Sequence, residues 1–427
     1  MNSSFFTSLF HRGAWAYVGD TTKGTVTHNL IGWKLSVKRN GASLTVTGII
    51  APPPGPAALP LGDAVSGGFW ITAIASGVFR GYARNVLSGA LTLPSHLTSI
   101  GEQAFQDCTG LTGTLSFPDG VSEIGKEAFA NCPGLSGALV LPDGLASVSD
   151  SAFDGCSGLA RVTIPHGVTR IGNHAFRRCT GLTGATLPGS LTNIGDSAFL
   201  WCSGLAGALA LPDGVTSIGD SAFFRCTGLT GLTLPDSVAS IGDHAFSECN
   251  GLIDVAIGSG VADIGDFAFA RCSALRDISV ADANTTYCDI GGVAFSGDKM
   301  RLIQFPVGRK GGYDIPASVT AIDDWAFADC RGLTDVTIPA SVATIGAFAF
   351  YGCRNLTGVT IPNSAATVGE GAFAGCFGLI AVPAPGVEAP PAPAAPKPKE
   401  KKMEQAVESM AADKPAMLRY LREHARG

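Results

Sequence analysis

The sequence predicts an α/β repeat solenoid. It has a parallel β-sheet on the concave face, short helical turns or irregular returns on the convex face, and a cap at the N-terminus. Three observations lead there. The signature Ala-Phe-x-x-Cys occurs eleven times, each 23 or 24 residues from a neighbour on at least one side, with a single gap of 58 residues between Phe269 and Phe327. Each unit holds a short alternating stretch closed by proline. The chain is 46% hydrophobic and only 15% charged, yet no single unit is long enough to bury its own apolar side, so the units have to stack.

The elements of one unit follow in order. "ARVTIP" (160–165) alternates, with Val162 and Ile164 on one side and Arg161 and Thr163 on the other, as in a strand with one buried face. Proline ends the ladder and "PDG" or "PDS" turns the chain. "GDSAFFRC" then reads as one helical turn, its glycine supplying an unusual φ and its Asp capping the turn's own free N–H groups. The aromatic slot is filled from Phe105 to Phe373, with Phe79 in a degenerate first unit, "ITAIASGVFRG". One longer unit, about 273–330, departs from the pattern around Ala294-Phe295. About thirteen rungs at ~4.8 Å each would give a strand face on the order of 60 Å long.

The cysteines stack in one column, each between an inward Phe at i−3 and an inward Leu at i+3, as with Phe223, Cys226 and Leu229. Small, buried, reduced packing residues fit that place. No two cysteines are close enough in sequence for a C-x2-C metal site, and a single column orients sulfurs poorly for disulfides. Cys288 is out of phase and is the candidate for an exposed thiol.

Residues 1–70 hold Trp15, Trp33, Trp70 and a strand-like "SLTVTGII", and are read as the cap, with "APPPGPAALP" (51–60) as a loop. The solenoid is placed at 71–383, a Pro/Ala-rich extended linker at 384–398, and a helical tail at 399–427 with Met403, Val407 and Met410 on one stripe. Whether that tail docks on the solenoid or on a partner is open.

These residues resemble the BspA-like, treponemal-type leucine-rich repeat family. The likeness rests on C-x-x-L-x-x-[VIL]-x-[IVL]-P followed by [VL]-x-x-[IV]-G-x-x-A-F-x-x-C, and on the long variant unit at 283–316. It implies a leucine-rich repeat solenoid, adhesion or protein binding, and a bacterial cell-surface, periplasmic or secreted setting. The first twenty residues have no basic n-region before an apolar stretch and do not read as a signal peptide, so from the residues alone the compartment is unknown.

No nucleophile elbow, phosphate loop, H-E-x-x-H or dinucleotide fingerprint is present, and the chain reads as a non-enzyme with no cofactor. His174 and His244 sit before Ala-Phe, where other units carry varied residues, and read as a tolerant surface position. The net charge is −6; Lys397–Gly427 holds eight Lys/Arg and five Asp/Glu, so residues 1–396 carry −6 − 3 = −9. That acidic body argues against nucleic acid. No apolar run reaches the ~18–20 residues of a membrane span. Asn173, Asp196, Asp220, Asp243 and Asp266 form a second column, read as hydrated caps over the alternative of a calcium site.

The expected function is a protein–protein interaction scaffold of the adhesion type. Its site is the outward position of the strand: Thr163, Thr186, Ala210, Thr233, Ala256, Thr337 and Thr360. Solvated faces usually carry Lys and Glu; this one is smooth and short-chained. The partner is read as a protein, with self-association open as a further contact and no metal. The alternatives are a structural envelope protein that acts through its tail, and lipid or glycan binding by the solenoid.

Overall fold

The computed structural model describes residues 15–28, 32–53, 55, 57–62, 65–82, 87–361 and 367–379. The linker and the tail expected at 384–398 and 399–427 lie outside them. The described residues open with four strands: β1 (Trp15–Gly19), β2 (Lys23–His28), β3 (Lys34–Asn40) and β4 (Ser43–Ala51), paired antiparallel in a meander. Trp15 and Trp33 are fully buried beneath it, and their indole N–H groups donate to the carbonyls of Pro60 and Ala58, each at 3.0 Å. Part of the expected loop is a strand: β5 (Ala57–Pro60) pairs parallel with Leu87–Thr92. β4 pairs parallel with β6 (Trp70–Ile74), so the meander's sheet runs on into the repeats.

The regular rungs then carry two strands, one on either side of a corner that is proline in most rungs and Gly258 in one. The longer ones, such as Leu159–Thr163 and Leu229–Thr233, pair in parallel with their equivalents. The shorter ones, such as Arg170–Ile171 and Asn193–Ile194, form a second parallel ladder. Alternation explains both: Val162 and Ile171 point into the core while Thr163 and Arg170 face outward. The sequence reading identified only the first of these ladders.

The core is a stack of rings. Nine phenylalanines from Phe79 to Phe269 lie nearly parallel, with neighbouring centroids 5.0 to 5.7 Å apart. This pitch is close to the strand spacing, so one ring per rung stacks in contact with the next along the interior.

The return is not helical. Among the described residues there is no helix, and three local features replace it. The residue before Ala-Phe and the residue before Cys have left-handed φ, as at Gln103 (56°) and Asp107 (60°). Bonds from i+3 to i close successive turns, as from the Cys108 N–H to the Phe105 carbonyl. Alternate N–H groups, those of Gln103, Phe105 and Asp107, donate to the next rung's Lys126, Ala128 and Ala130 carbonyls. A helix would need those donors for its own i−4 carbonyls. Bonding between rungs wins because it continues from rung to rung on either side of the long unit.

Two local expectations are corrected by the same geometry. The glycine of Ile-Gly does not supply a positive φ; it allows a close approach. A Cβ on Gly219 would sit 2.5 Å from Asp196 Oδ1 and 2.6 Å from its backbone nitrogen. The position before Ala-Phe is not a tolerant surface either. Ser197 and Ser221 are buried, and burial lowers the pKa of the half-buried His174 and His244 below the ordinary imidazole value.

The long unit breaks the pattern with an antiparallel hairpin, Tyr287–Ile290 against Val293–Ser296, followed by Arg301–Gln304. Phe295 lies on that hairpin. The stack resumes with Phe305, whose ring lies 4.9 Å from that of Phe327. The buried apolar residues fall into two clusters that part here, one from Trp15 to Ala294 and one from Val293 to Cys376.

Candidate functional site

The longer strands bring the expected site residues into columns. Thr163 pairs in register with Thr186, Ala210 with Thr233, Thr233 with Ala256, and Thr337 with Thr360. All are exposed except Ala256, which is half-buried. The seven are not one unbroken line. They lie in three sheets, with a break after Thr186 and another at the long unit. Val140, paired with Thr163, is 58% exposed and is the largest apolar side chain in the column.

One column member escaped the sequence reading. Asp314 pairs with Thr337, and the following Ile315 N–H donates to the Thr337 carbonyl as that of Ile164 does to Thr186. The Ile-Pro ending of "YDIP" carries the same strand signature and could have shown it.

The neighbouring outward column explains the surface texture. Gly231 pairs with Asp254, and Asp335 with Gly358. A Cβ on Gly358 would meet Asp335 Oδ1 at 2.5 Å, so the aspartate side chain lies across the glycine of the next rung. Neither column contains Lys or Glu. The result is a low, weakly polar face with Arg161 toward one end and Asp254, Asp277, Asp314 and Asp335 toward the other.

The cysteines are free and buried, except Cys288, which is half-buried. They do more than fill space. In ten of the eleven column positions the thiol donates to the carbonyl of the preceding rung's phenylalanine, at 2.9 to 3.2 Å. Serine would reach the same acceptor with less volume, whereas cysteine supplies both the apolar bulk and a weak donor. Burial pushes the Cys108 and Cys272 thiols up to about 12 and raises the others between them well above the free value. These are inert thiols, unsuited to nucleophilic work.

The Asp column also binds rung to rung. Asn173 Oδ1 accepts the N–H of Asp196, Asp196 Oδ1 that of Asp220, Asp220 Oδ1 that of Asp243, and Asp243 Oδ1 that of Asp266, at 2.8 to 3.0 Å. The expected cap on the residue's own turn is thus a cap on its neighbour's. One oxygen of each side chain is committed to this bond, and successive carboxylates belong to successive rungs. Among the described residues no three His, Cys, Asp or Glu side chains converge as a metal ligand set.

Charge on the return side is balanced across rungs. Asp154, 4% exposed, accepts from Arg177 and Arg178, with guanidinium–carboxylate distances of 2.5 and 3.0 Å. Glu248 is held between Arg225 and Arg271, and Arg271 reaches Asp329 at 3.2 Å across the long unit. These are structural ion pairs, since each carboxylate is spent on a guanidinium.

The comparisons agree with this geometry. A family model described as "BspA type Leucine rich repeat region (6 copies)" matches residues 72–206, 207–310 and 312–386. A leucine rich cell surface protein from Faecalibacterium prausnitzii is 27% identical, with a TM-score of 0.51, covering 85% of this chain and 81% of that one. A leucine-rich repeat protein from Bacteroides ovatus is 24% identical, with a TM-score of 0.59 and coverage of 88% and 93%. No curated protein matches. Because the family match spans most of the chain and the rungs form a leucine-rich repeat β-solenoid, the chain belongs to the BspA-type leucine-rich repeat family.

Proposed function

We propose that the protein is a non-catalytic binding scaffold whose long-strand face receives a protein partner. The observation that carries this reading is the in-register run of short outward side chains, Thr163–Thr186, Ala210–Thr233–Ala256 and Thr337–Thr360, with no Lys or Glu in it. Such a face loses little side-chain entropy when covered, and its small residues let a partner's backbone and rings approach closely. The column thiols and the carboxylates of Asp154, Glu248 and Asp329 are committed to bonds that hold the rungs together. The acidic body disfavours nucleic acid, and among the described residues no helix is long and apolar enough to cross a membrane.

The setting we infer is the cell surface or beyond, by likeness to the Faecalibacterium protein, which is described as a cell surface protein. The meander β1–β4, continuous with the first rungs and anchored by Trp15 and Trp33, serves in this reading as the N-terminal cap at about 1–70. Residues 384–398 act as a spacer for the tail at 399–427.

The test is capture from a panel of purified extracellular proteins by the full chain and by a chain ending at Pro383. Equal capture by both supports the solenoid as the binding element. Capture lost with the tail overturns it in favour of an envelope protein that acts through residues 399–427.

A further inference from the structure

The second ladder offers a different surface from the long-strand face. A shallow groove of about 560 Å³ runs along it over five rungs. One wall is the outward column of the short strands, where Arg170, Asn193, Ser217, Ser240 and Asp263 follow one another in register. The other wall includes Asp196 and Asp220 from the Asp column. The floor is Ile-Gly backbone, kept low because no side chain larger than glycine fits between the rungs there.

The chemistry of the lining selects a ligand class. Its only apolar side chains are Ile194, Ile218 and Ile241, all buried under the floor, so an apolar ligand gains nothing. The strand edges are already paired with the rungs before and after, which excludes an added peptide strand. The one guanidinium, Arg170, lies 3.8 Å from Asp150, so anions meet net negative charge. What remains is a row of hydroxyl, amide and carboxylate groups repeating once per rung. Asp220 keeps its second oxygen without a hydrogen-bond partner among the described residues, beside Ser217. Carboxylates bind hydroxyl donors through short, strong bonds, and an extended chain of sugar rings repeats at nearly the rung interval.

We propose that this groove binds a linear, uncharged polysaccharide lying along the solenoid axis, its hydroxyls bridging Asn193, Asp196, Ser217, Asp220 and Ser240 on successive rungs. A single cation is a poor match, because each carboxylate comes from a different rung and already accepts a backbone N–H.

The test titrates the intact protein with cellohexaose and mannohexaose, both β-1,4-linked and extended, by calorimetry, with maltohexaose, which coils, as the shape control. Ser217→Trp fills the groove and should weaken the extended hexasaccharides by about tenfold or more. Asp220→Asn keeps the rung bond, as Asn173 does naturally, and should weaken them by about fivefold with an unchanged melting temperature. Thr186→Lys with Thr233→Lys should leave sugar binding unchanged, which separates this site from the long-strand face. The proposal is overturned if neither extended hexasaccharide binds, if binding survives both groove variants, or if spermine or calcium binds the groove in their place.

Discussion

The regular rungs from Ser99 to Cys272 and the long unit that follows hold the same solenoid together by different means. In the regular rungs the devices repeat: strand pairing to the next rung, a thiol on a phenylalanine carbonyl, a stacked ring and, from Asp150 on, an Asp or Asn oxygen on the next rung's N–H. No single bond is strong, and none has to be. In the long unit the thiol series stops: the Phe305 carbonyl in the rung before accepts from the Gln304 side chain at 2.9 Å, and the Cys330 thiol turns to Ala328 of its own turn, at 3.9 Å. Longer side chains take over. Arg309 donates to the carbonyls of Arg276 and Gly291 at 2.6 and 2.5 Å, and Asn284 donates to those of Gly258 and Val261, both at 2.9 Å. A periodic interior is thus held by many small interchangeable bonds, while an interruption concentrates the load on a few residues.

The comparison breaks most visibly at high pH. A thiol whose folded pKa is raised stays protonated in the fold while the unfolded chain ionises, so the unfolded state then binds fewer protons and stability falls as pH rises. With an ordinary value of 9.0 and about 12 for Cys108 and Cys272, the loss is confined to pH above about 9 and grows by up to about 1.4 kcal/mol per thiol per pH unit. Urea melts should therefore give constant stability from pH 7 to about 8.5, then a steep fall. Stability that stays flat to pH 11 would contradict the buried column.

Next in size is a glycine contrast. Gly242→Ala places a methyl 2.5 Å from Asp220 Oδ1 and 2.6 Å from its backbone nitrogen, and should cost about 2–4 kcal/mol. Gly207→Ala, at a φ of 85° with open space around it, should cost about 1 kcal/mol. Equal costs would mean that rung spacing does not set the Ile-Gly motif.

Arg309→Ala should destabilise the long unit by about 2 kcal/mol, since it removes two hydrogen bonds from one charged donor that ties Arg276 to Gly291. Hydrogen exchange should show the loss on the residues after 280, with the rungs before it unchanged. The finest contrast is Cys226→Ala against Cys330→Ala. Both remove a buried sulfur, and only the first removes a bond between rungs, so it should cost about 1 kcal/mol more in chemical denaturation.

The repeat, its length and its core slots were legible because one residue type recurs in each slot and burial tolerates few others there. Phe79 was recognisable in a degenerate unit for that reason. The return was misread because Gly-Asp-Ser-Ala-Phe has good local helical logic, whereas the bonds that decide its shape run to the next rung. Those partners lie 23 residues away and leave no local trace. The Asp caps were misassigned on the same ground. Asp314 was missed because the long unit shifted the phase, although its Ile-Pro ending was in view. The polar groove was invisible because the four residues that shape it in one unit, such as Ser217 to Asp220, form walls and a floor only when stacked in register on their equivalents.

The central claim is that the long-strand face carries the partner, and the most direct test places charge at its middle. Thr186→Lys with Thr233→Lys puts two long hydrated cations on exposed positions in adjacent sheets. Surface changes of this kind shift stability by only about 0.5 kcal/mol, while an unpaired charge buried in an interface costs several. Ala239→Lys, exposed beyond the proline corner, is the control. Capture of an extracellular protein should survive in the control and fall by at least about tenfold in the double variant, with both melting like the unaltered protein. Capture that survives in the double variant and is lost in the control would move the binding surface away from the long strands.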